Sequence, residues 1–501
     1  MAPQTPIAPV KTGIAELDDV LGGGLPENRV YLLHGSPGSG KTTLALQFLM
    51  EGAKHGERVM YITLSETKVE LLATAQSHGW SLDGIDIFEL VAEESTLQPE
   101  NQYMMYQPSE VEMSETTKAM IEHIEAIKPV RCVIDSLSEV KLLAQNLLRY
   151  RRQVLALKQF FIGRNCTTLF LDDKTASCDE DKQLESIAHG VLSLEQLSPE
   201  YGAERRRLRI TKLRGQRYRG GYHDFTIKTG GLAIFPRLVA SEHRQAHDRT
   251  SLRSGIDELD EMLGGGIDFG ASMLLIGPAG SGKSSLATQY ALAAAAIGSR
   301  AAYFAFDERV ETLMQRSEGI GQRVTECIKD GLLTVKPIDT AEVAPGEFAH
   351  LIKQAAEGKD GYQPARVVII DSLNGYLNAM PEEHFLTAQL HEILTYLGHL
   401  NIITILVVAQ HGLLGNAMTT AVDTSYLADT VILFRYFEAQ GEVKQTISVL
   451  KKRSGPHERT LREFKIEDSG LRIGKILHQF QGVLTGTPIF TGTDLTLLKS
   501  A

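Results

Sequence analysis

One eight-residue stretch occurs twice in this chain, and it limits what the chain can fold into more than any other feature. It reads Gly35-Ser-Pro-Gly-Ser-Gly40-Lys41-Thr42, then Gly277-Pro-Ala-Gly-Ser-Gly282-Lys283-Ser284. Both copies fit G-x-x-x-x-G-K-[S/T]. Glycines let such a loop wrap tightly, so that backbone N–H groups point inward at phosphate oxygens. The lysine sets a positive charge on the outer phosphates, and the hydroxyl can ligate Mg²⁺. A helix starting at the loop aims its positive end at the same anion. The flanks agree. Arg29–His34 and Met273–Ile276 are apolar and strand-like, and helical patterns follow over Thr43–Lys54 and Ser285–Ile297, closed by Gly56 and Gly298. A chance glycine-rich turn would not recur in the same strand-to-helix setting.

The loops belong to a larger repeat. Thr12-Gly-Ile-Ala-Glu-Leu-Asp-Asp-Val-Leu-Gly-Gly-Gly-Leu25 returns as Ser254-Gly-Ile-Asp-Glu-Leu-Asp-Glu-Met-Leu-Gly-Gly-Gly-Ile267, and the phosphate loops and the pair Glu66/Glu308 keep the same spacing. Two copies of one fold are therefore expected, residues 1–243 and 244–501, joined through the polar stretch Ser241–Thr250. Each copy alternates strand and helix. In the first, strands are expected at Arg58–Leu64, Arg131–Ile134 and Thr167–Leu171. Helices are expected at Val69–His78, Ser114–Ile127 and Leu147–Gly163. The segments Val191–Leu197, Leu208–Leu213 and Phe225–Lys228 read as an antiparallel extension. The expected class is α/β, with two tandem domains, each a mostly parallel sheet flanked by helices.

Composition narrows the function. Charged residues make up 23% and hydrophobic ones 43% of the 501 residues, which is globular. A net charge of −11 argues against a protein that coats nucleic acid. The Arg205-Arg-Arg207 cluster with Arg214, Arg217 and Arg219 is better read as serving a subunit interface. Cys132, Cys166, Cys178 and Cys327 form no C-x-x-C pair, so neither a zinc site nor a disulfide framework is indicated. With no signal core and no long apolar run, a reduced, cytoplasmic location without membrane contact is expected.

In an open parallel sheet, ligands sit beyond the carboxyl ends of the strands. The loop residues Ser36, Gly38, Ser39, Gly40, Lys41, Thr42 and Thr43 are expected to hold one nucleotide. Pro278, Gly280, Ser281, Gly282, Lys283, Ser284 and Ser285 are expected to hold the other. Thr42 with Asp135, and Ser284 with Asp371, are the expected Mg²⁺ sets, each aspartate following an apolar strand. Glu66, and the pair Asp307–Glu308, end the strand after each loop helix. They are placed to orient or deprotonate a nucleophile near the γ-phosphate; the plain alternative is a solvated loop acid. Lys212-Leu-Arg214 and Lys451-Lys-Arg453 recur after a strand. Each reads equally as a solvated strand end or as cations reaching a neighbouring subunit's triphosphate.

Taken together, these residues resemble the KaiC family of double-domain RecA-like ATPases. The likeness rests on the order of the T-G-I-x-x-L-D-x-x-L-G-G-G segment, the phosphate loops, the strand-end acids, Pro108-Ser-Glu-Val-Glu112, the Asp-Ser-Leu motifs at 135 and 371, and Lys212-Leu-Arg-Gly215. In the second half, Pro345-Gly-Glu-Phe348, Asp429-Thr-Val-Ile-Leu-Phe434, Arg462-Glu-Phe464 and Gly486-Thr-Pro488 add to it. The resemblance implies a two-tiered homohexamer with ATP and Mg²⁺ between subunits, slow hydrolysis, and Ser/Thr autokinase activity in the second tier. It also implies a KaiB-type regulatory partner and a role as a timer or signalling switch. Three departures matter. Ser65-Glu66 stands where the family carries two acids. The family's adjacent Ser-Thr phosphorylation pair falls on Ser425-Tyr426, which makes Ser425 the expected acceptor and Thr424 the alternative. Only eleven residues follow Phe490, which speaks against a KaiA-type partner. A nucleic-acid-stimulated motor and a nucleotide-dependent scaffold remain as competing readings on the same fold.

Overall fold

The computed structural model describes residues 9–90, 108–144, 146–174, 184–199, 202–246, 250–359, 361–378, 385–410, 427–439, 441–484 and 489–492. Its contacts divide the chain into two units, Met1–Arg237 and Leu238–Ala501.

The first unit opens with a small antiparallel pair, β1 (Pro9–Val10) with β2 (Leu25–Pro26). Nine strands then make one sheet: β3 (Val30–Gly35), β4 (Val59–Thr63), β5 (Ile85–Glu89), β6 (Arg131–Asp135), β7 (Thr167–Asp173), β8 (Gly190–Leu197), β9 (Arg205–Leu213), β10 (Tyr222–Lys228) and β11 (Gly231–Phe235). Their order is β11-β10-β9-β8-β3-β7-β6-β4-β5. Pairing is parallel from β8 across to β5 and antiparallel from β8 out to β11.

The second unit repeats this plan. After the pair β12 (Ser251–Leu252) and β13 (Ile267–Asp268) come β14 (Ser272–Gly277), β15 (Arg300–Ala305), β16 (Leu333–Pro337), β17 (Ala365–Asp371), β18 (Ile403–Ala409), β19 (Thr430–Ala439), β20 (Glu442–Lys452), β21 (Arg462–Glu467) and β22 (Gly470–Ile476). Their order is β16-β15-β17-β18-β14-β19-β20-β21-β22. A short pair, β23 (Phe480–Gln481) with β24 (Ile489–Phe490), closes the described chain. In both sheets the strand before the phosphate loop lies at the centre, and the parallel and antiparallel parts meet at the strand beside it, β8 or β19.

Strand periodicity explains why both faces are covered. Side chains alternate across a sheet with period two. In the first unit Tyr31, Leu33, Tyr61, Val133, Leu169 and Leu171 join one core, while Leu32, Met60, Ile62, Cys132, Ile134 and Phe170 join the other. The central strands are apolar at nearly every position, as a sheet buried on both sides requires. The second unit divides alike, with Met273, Leu275, Tyr303, Val367 and Ile369 on one side and Leu274, Ala302, Phe304, Val368 and Ile370 on the other.

The repeated T-G-I-x-x-L-D segment is structural. Asp18 Oδ1 accepts from the backbone N–H and the hydroxyl of Thr12, both at 2.9 Å. Asp260 Oδ1 does the same for Ser254, at 2.8 and 2.9 Å. The glycine run that follows crosses the small strand pair. A Cβ on Gly24 would stand 2.5 Å from the Val10 carbonyl, and one on Gly266 2.5 Å from that of Leu252.

Two local expectations change. The helix expected from Ser114 runs Pro108–Ile127. Proline is compatible with a first helical turn, where no intrahelical N–H bond is lost, so Pro108 starts the helix. The described part of the polar stretch, Ser241–Ala246, packs as part of the second unit. Glu392 accepts from the Ala240 N–H at 2.8 Å, and Asn401 donates to the Ala246 carbonyl at 2.7 Å.

Candidate nucleotide sites

Each central strand delivers its loop to a helix, Lys41–Lys54 in the first unit and Lys283–Ala296 in the second. The residue before each helix is a left-handed glycine, Gly40 at φ 96° and Gly282 at φ 92°. An L-residue adopts that conformation only at a cost of about 1–2 kcal/mol, so glycine is required there. Lys41 folds back over its loop and donates to the carbonyls of Gly35 (3.0 Å) and Ser36 (3.1 Å), with Asp173 Oδ1 at 2.7 Å. Lys283 donates to the Pro278 carbonyl at 2.6 Å and lies 3.5 Å from the Ser281 hydroxyl. Ser39 Oγ is buried with no partner among the described residues, while Ser281 donates to Pro278. Thr43 and Ser285 are buried in the first helical turn, and Gly38 and Gly280 lie at the turn of each loop with positive φ.

The strand-end aspartates arrive beside the loop hydroxyls. Thr42 Oγ1 lies 3.4 Å from Asp135 Oδ2, and Ser284 hydrogen-bonds Asp371. A tyrosine from the next strand completes each group. Tyr61 donates to Asp135 and Tyr303 to Asp371, each at 2.5 Å. Burial holds both carboxyl groups above the ordinary aspartate range, against the hydroxyl bonds that favour the anion. Oxygen donors of this kind, one hydroxyl with a nearby carboxylate, fit Mg²⁺, which keeps several waters and takes the rest of its shell from phosphates. No group of three or more His, Cys, Asp or Glu that would hold a metal by protein ligands alone occurs among the described residues.

The candidate bases differ between the units. Glu66 is half-buried. Its backbone is tied to Thr63, whose hydroxyl donates to the Glu66 carbonyl (2.6 Å) and accepts from its N–H (3.0 Å). Burial, with Asp135 and Glu70 nearby, raises its carboxyl above the usual value. Glu308 is instead held by Arg316 through two bonds, at 3.1 and 2.9 Å. Asp307 is exposed and accepts from the Ser372 hydroxyl.

Lys212, Arg214, Lys451 and Arg453 are not brought to their own chain's loops. Leu213 pairs with Gly190, which pairs with Tyr31, at the opposite end of β3 from Gly35. Lys451 pairs with Val431, which pairs with Leu274, and Arg453 meets Asp429 beside Ser272 at the start of β14. Four residues of strand, roughly 13 Å, separate them from the loops. Ser425 and Thr424 lie outside the described residues.

The family model for the KaiC ATPase matches residues 10–239 and 252–478. The chain belongs to the KaiC ATPase family. Among curated relatives, it is 29% identical over 495 residues to the circadian clock oscillator protein KaiC of Parathermosynechococcus lividus, covering 97% of this chain and 88% of that protein. Circadian clock protein KaiC3 of Synechocystis sp. is 29% identical over 497 residues, covering 97% and 95%. The KaiC of Synechococcus elongatus is 28% identical over 488 residues, covering 96% and 92%. Membership accounts for the paired loops of this KaiC-family chain. No helix among the described residues is long and apolar enough to cross a membrane.

Four residues escaped sequence reasoning: Tyr61, Tyr303, Asp173 and Arg316. The tyrosines carried a signal, since they keep the repeat spacing and sit five residues before Glu66 and Glu308. Asp173 ends an apolar strand but has no counterpart, since Ala409 takes its place in register against Gly277. That difference has a titratable consequence. Without a carboxylate in contact, burial pushes Lys283 down to about 8, with Asp371 opposing. Triphosphate charge restores the cation. ATP binding to the second unit is therefore expected to take up a proton above pH 8, and to weaken as pH rises through that value. Calorimetry of Lys41→Ala protein in buffers of different ionisation enthalpy measures the uptake; equal apparent enthalpies at pH 8.5 would show that it does not occur.

Proposed function

We propose that this KaiC-family ATPase binds Mg·ATP at both loops, hydrolyses it, and phosphorylates itself in the second unit, working as a cytoplasmic homohexameric timer or signalling switch. One observation carries this reading. Both repeats gather a loop lysine, a loop hydroxyl and a strand-end aspartate at one end of the sheet, while the Lys-x-Arg cations stand at the other. Cations so placed serve no site in their own chain; in a ring they face the next subunit's triphosphate, which supports nucleotide binding between subunits.

The chemistry follows from the side chains. Lys41 and Lys283 exchange loop carbonyls for phosphate oxygens. Mg²⁺, held through Thr42 or Ser284 and facing Asp135 or Asp371, would neutralise charge developing on the transferred phosphoryl group. Glu66 in the first unit, and Glu308 with Asp307 in the second, accept a proton from the attacking water. For autophosphorylation, the Ser425 hydroxyl oxygen attacks the γ-phosphorus, ADP leaves, and the proton passes to Asp307 or Glu308 of a neighbouring subunit. Thr424 is the alternative acceptor. A KaiB-type regulator fits this reading. Nucleic acid does not: Arg207 is already engaged by Glu195 at 2.8 Å and lies 4.1 Å from the Tyr222 ring centre.

Native mass spectrometry with and without MgATP tests the proposal. A hexamer carrying two nucleotides per chain, with phosphate that maps to the Ser425 segment and disappears in Ser425→Ala, is the expected result. Monomers under saturating MgATP would refute the ring. Hexamers that turn over ATP without gaining phosphate would leave an ATPase and remove the kinase.

A further inference from the structure

Arg316 separates the two repeats chemically. Its Nε donates to Glu308 Oε1 at 3.1 Å and a terminal nitrogen to Oε2 at 2.9 Å. The other terminal nitrogen donates to Ser285 Oγ at 3.0 Å, in the first turn of the phosphate-loop helix. One guanidinium thus ties the candidate base to the helix that starts the nucleotide site. The helix carrying it, Val310–Gly319, matches Lys68–Ser77 of the first unit residue for residue. Thr74 stands where Arg316 does, and the Glu66 carboxylate makes no ion pair among the described residues. The difference is one side chain on the same scaffold.

A base accepts a proton through an oxygen lone pair turned toward the nucleophile. In the fork, both Glu308 oxygens face the guanidinium, in the bidentate geometry that arginine holds best. The fork must open, or yield one oxygen, before Glu308 can act. We infer that Arg316 is a positioning residue that restrains Glu308, parking it against the phosphate-loop helix so that the second unit turns over more slowly than its base alone allows. This rests on the reading of Glu308 as the second unit's base. It gives that unit a brake which the first lacks, although the first has one acid fewer. Burial works against the Arg316 cation, but the Glu308 carboxylate outweighs it and keeps the guanidinium charged.

The test uses the full chain in a Glu66→Gln background, under saturating MgATP, so that changes report on the second unit. Arg316→Gln is expected to raise kcat about three- to tenfold, the size of one partly exposed charged pair, with KM for ATP unchanged. Arg316→Lys, a point charge that cannot fork, falls between the two. With Glu308→Gln added, Arg316→Gln has no further effect. In the first unit, measured in Glu308→Gln protein, Thr74→Arg lowers turnover by a similar factor. A merely structural Arg316 predicts the opposite: lower kcat and lower melting temperature in Arg316→Gln, with no dependence on Glu308. An unchanged or lower kcat, or a gain that survives Glu308→Gln, overturns the restraint. Should Arg316→Gln not fold, Thr74→Arg decides, and unaltered first-unit turnover there counts against it. Wild-type protein without any ATP turnover would overturn both this and the reading of Glu308, whereas turnover with an unmoved kcat sinks the restraint alone.

Discussion

Glu308→Gln lowers phosphoryl transfer in the second unit by about 10²–10⁴-fold, the usual contribution of a positioned base. The substitution keeps the shape of the side chain and removes the proton acceptor. It also ends the charged fork with Arg316, so melting temperature is followed alongside to separate lost chemistry from lost stability. Hydrolysis is read as phosphate release in Glu66→Gln protein, and autophosphorylation by peptide mapping of the Ser425 segment. Phosphate that still accumulates there at the wild-type rate would remove Glu308 from that step and leave Asp307, which already takes a hydrogen bond from Ser372. The reciprocal change belongs to the first unit. Ser65 is exposed at the position matching Asp307, so a longer acid meets no packed neighbour there. Ser65→Glu is expected to raise first-unit turnover, and unaltered ATPase in that variant would show that a second acid contributes nothing.

Lys41→Ala combined with Lys283→Ala is expected to abolish nucleotide-dependent ring assembly and leave smaller species. Each ammonium group contacts loop carbonyls or a hydroxyl in the free protein and would exchange these for triphosphate oxygens. A hydrogen bond to a charged group contributes about 1.5–3 kcal/mol, so losing one or more per site weakens ATP binding by roughly tenfold to several hundredfold. If nucleotide bridges Lys212 and Arg214 of one subunit to the loop of the next, weaker binding loosens the ring. Light scattering with and without MgATP measures this. Hexamers of the double variant that persist unchanged without nucleotide would show that assembly does not depend on the loops. The single variants separate the tiers, since each leaves one loop intact.

Much of the site was legible because its parts are local in sequence or repeated. A phosphate loop carries its glycines, lysine and hydroxyl within eight residues, and the strand before it and helix after it are set by period. Asp135 and Asp371 were legible as acids closing apolar strands. The antiparallel extension was legible as strands without intervening helices. The start of the Pro108 helix was less so, because proline reads as a breaker unless its place in the first turn is known. The docked segment after Leu238 looked like linker because what holds it is its backbone, Ala240 N–H and Ala246 carbonyl, bonded to the side chains of Glu392 and Asn401 more than 150 positions away.

The sequence by itself determined that two copies of one α/β fold exist, that each presents a phosphate loop, and which acids and hydroxyls could accompany it. It could do so because those residues are bound by short-range spacing and by the repeat. Tertiary structure decided what each group faces. It set Tyr61 and Tyr303 on the aspartates, gave Lys41 a carboxylate that Lys283 lacks, placed the Lys-x-Arg cations at the far end of the sheet, and closed Arg316 over Glu308. Contacts of that kind join strands and helices distant along the chain, and no pattern within one segment encodes which oxygen a guanidinium will meet.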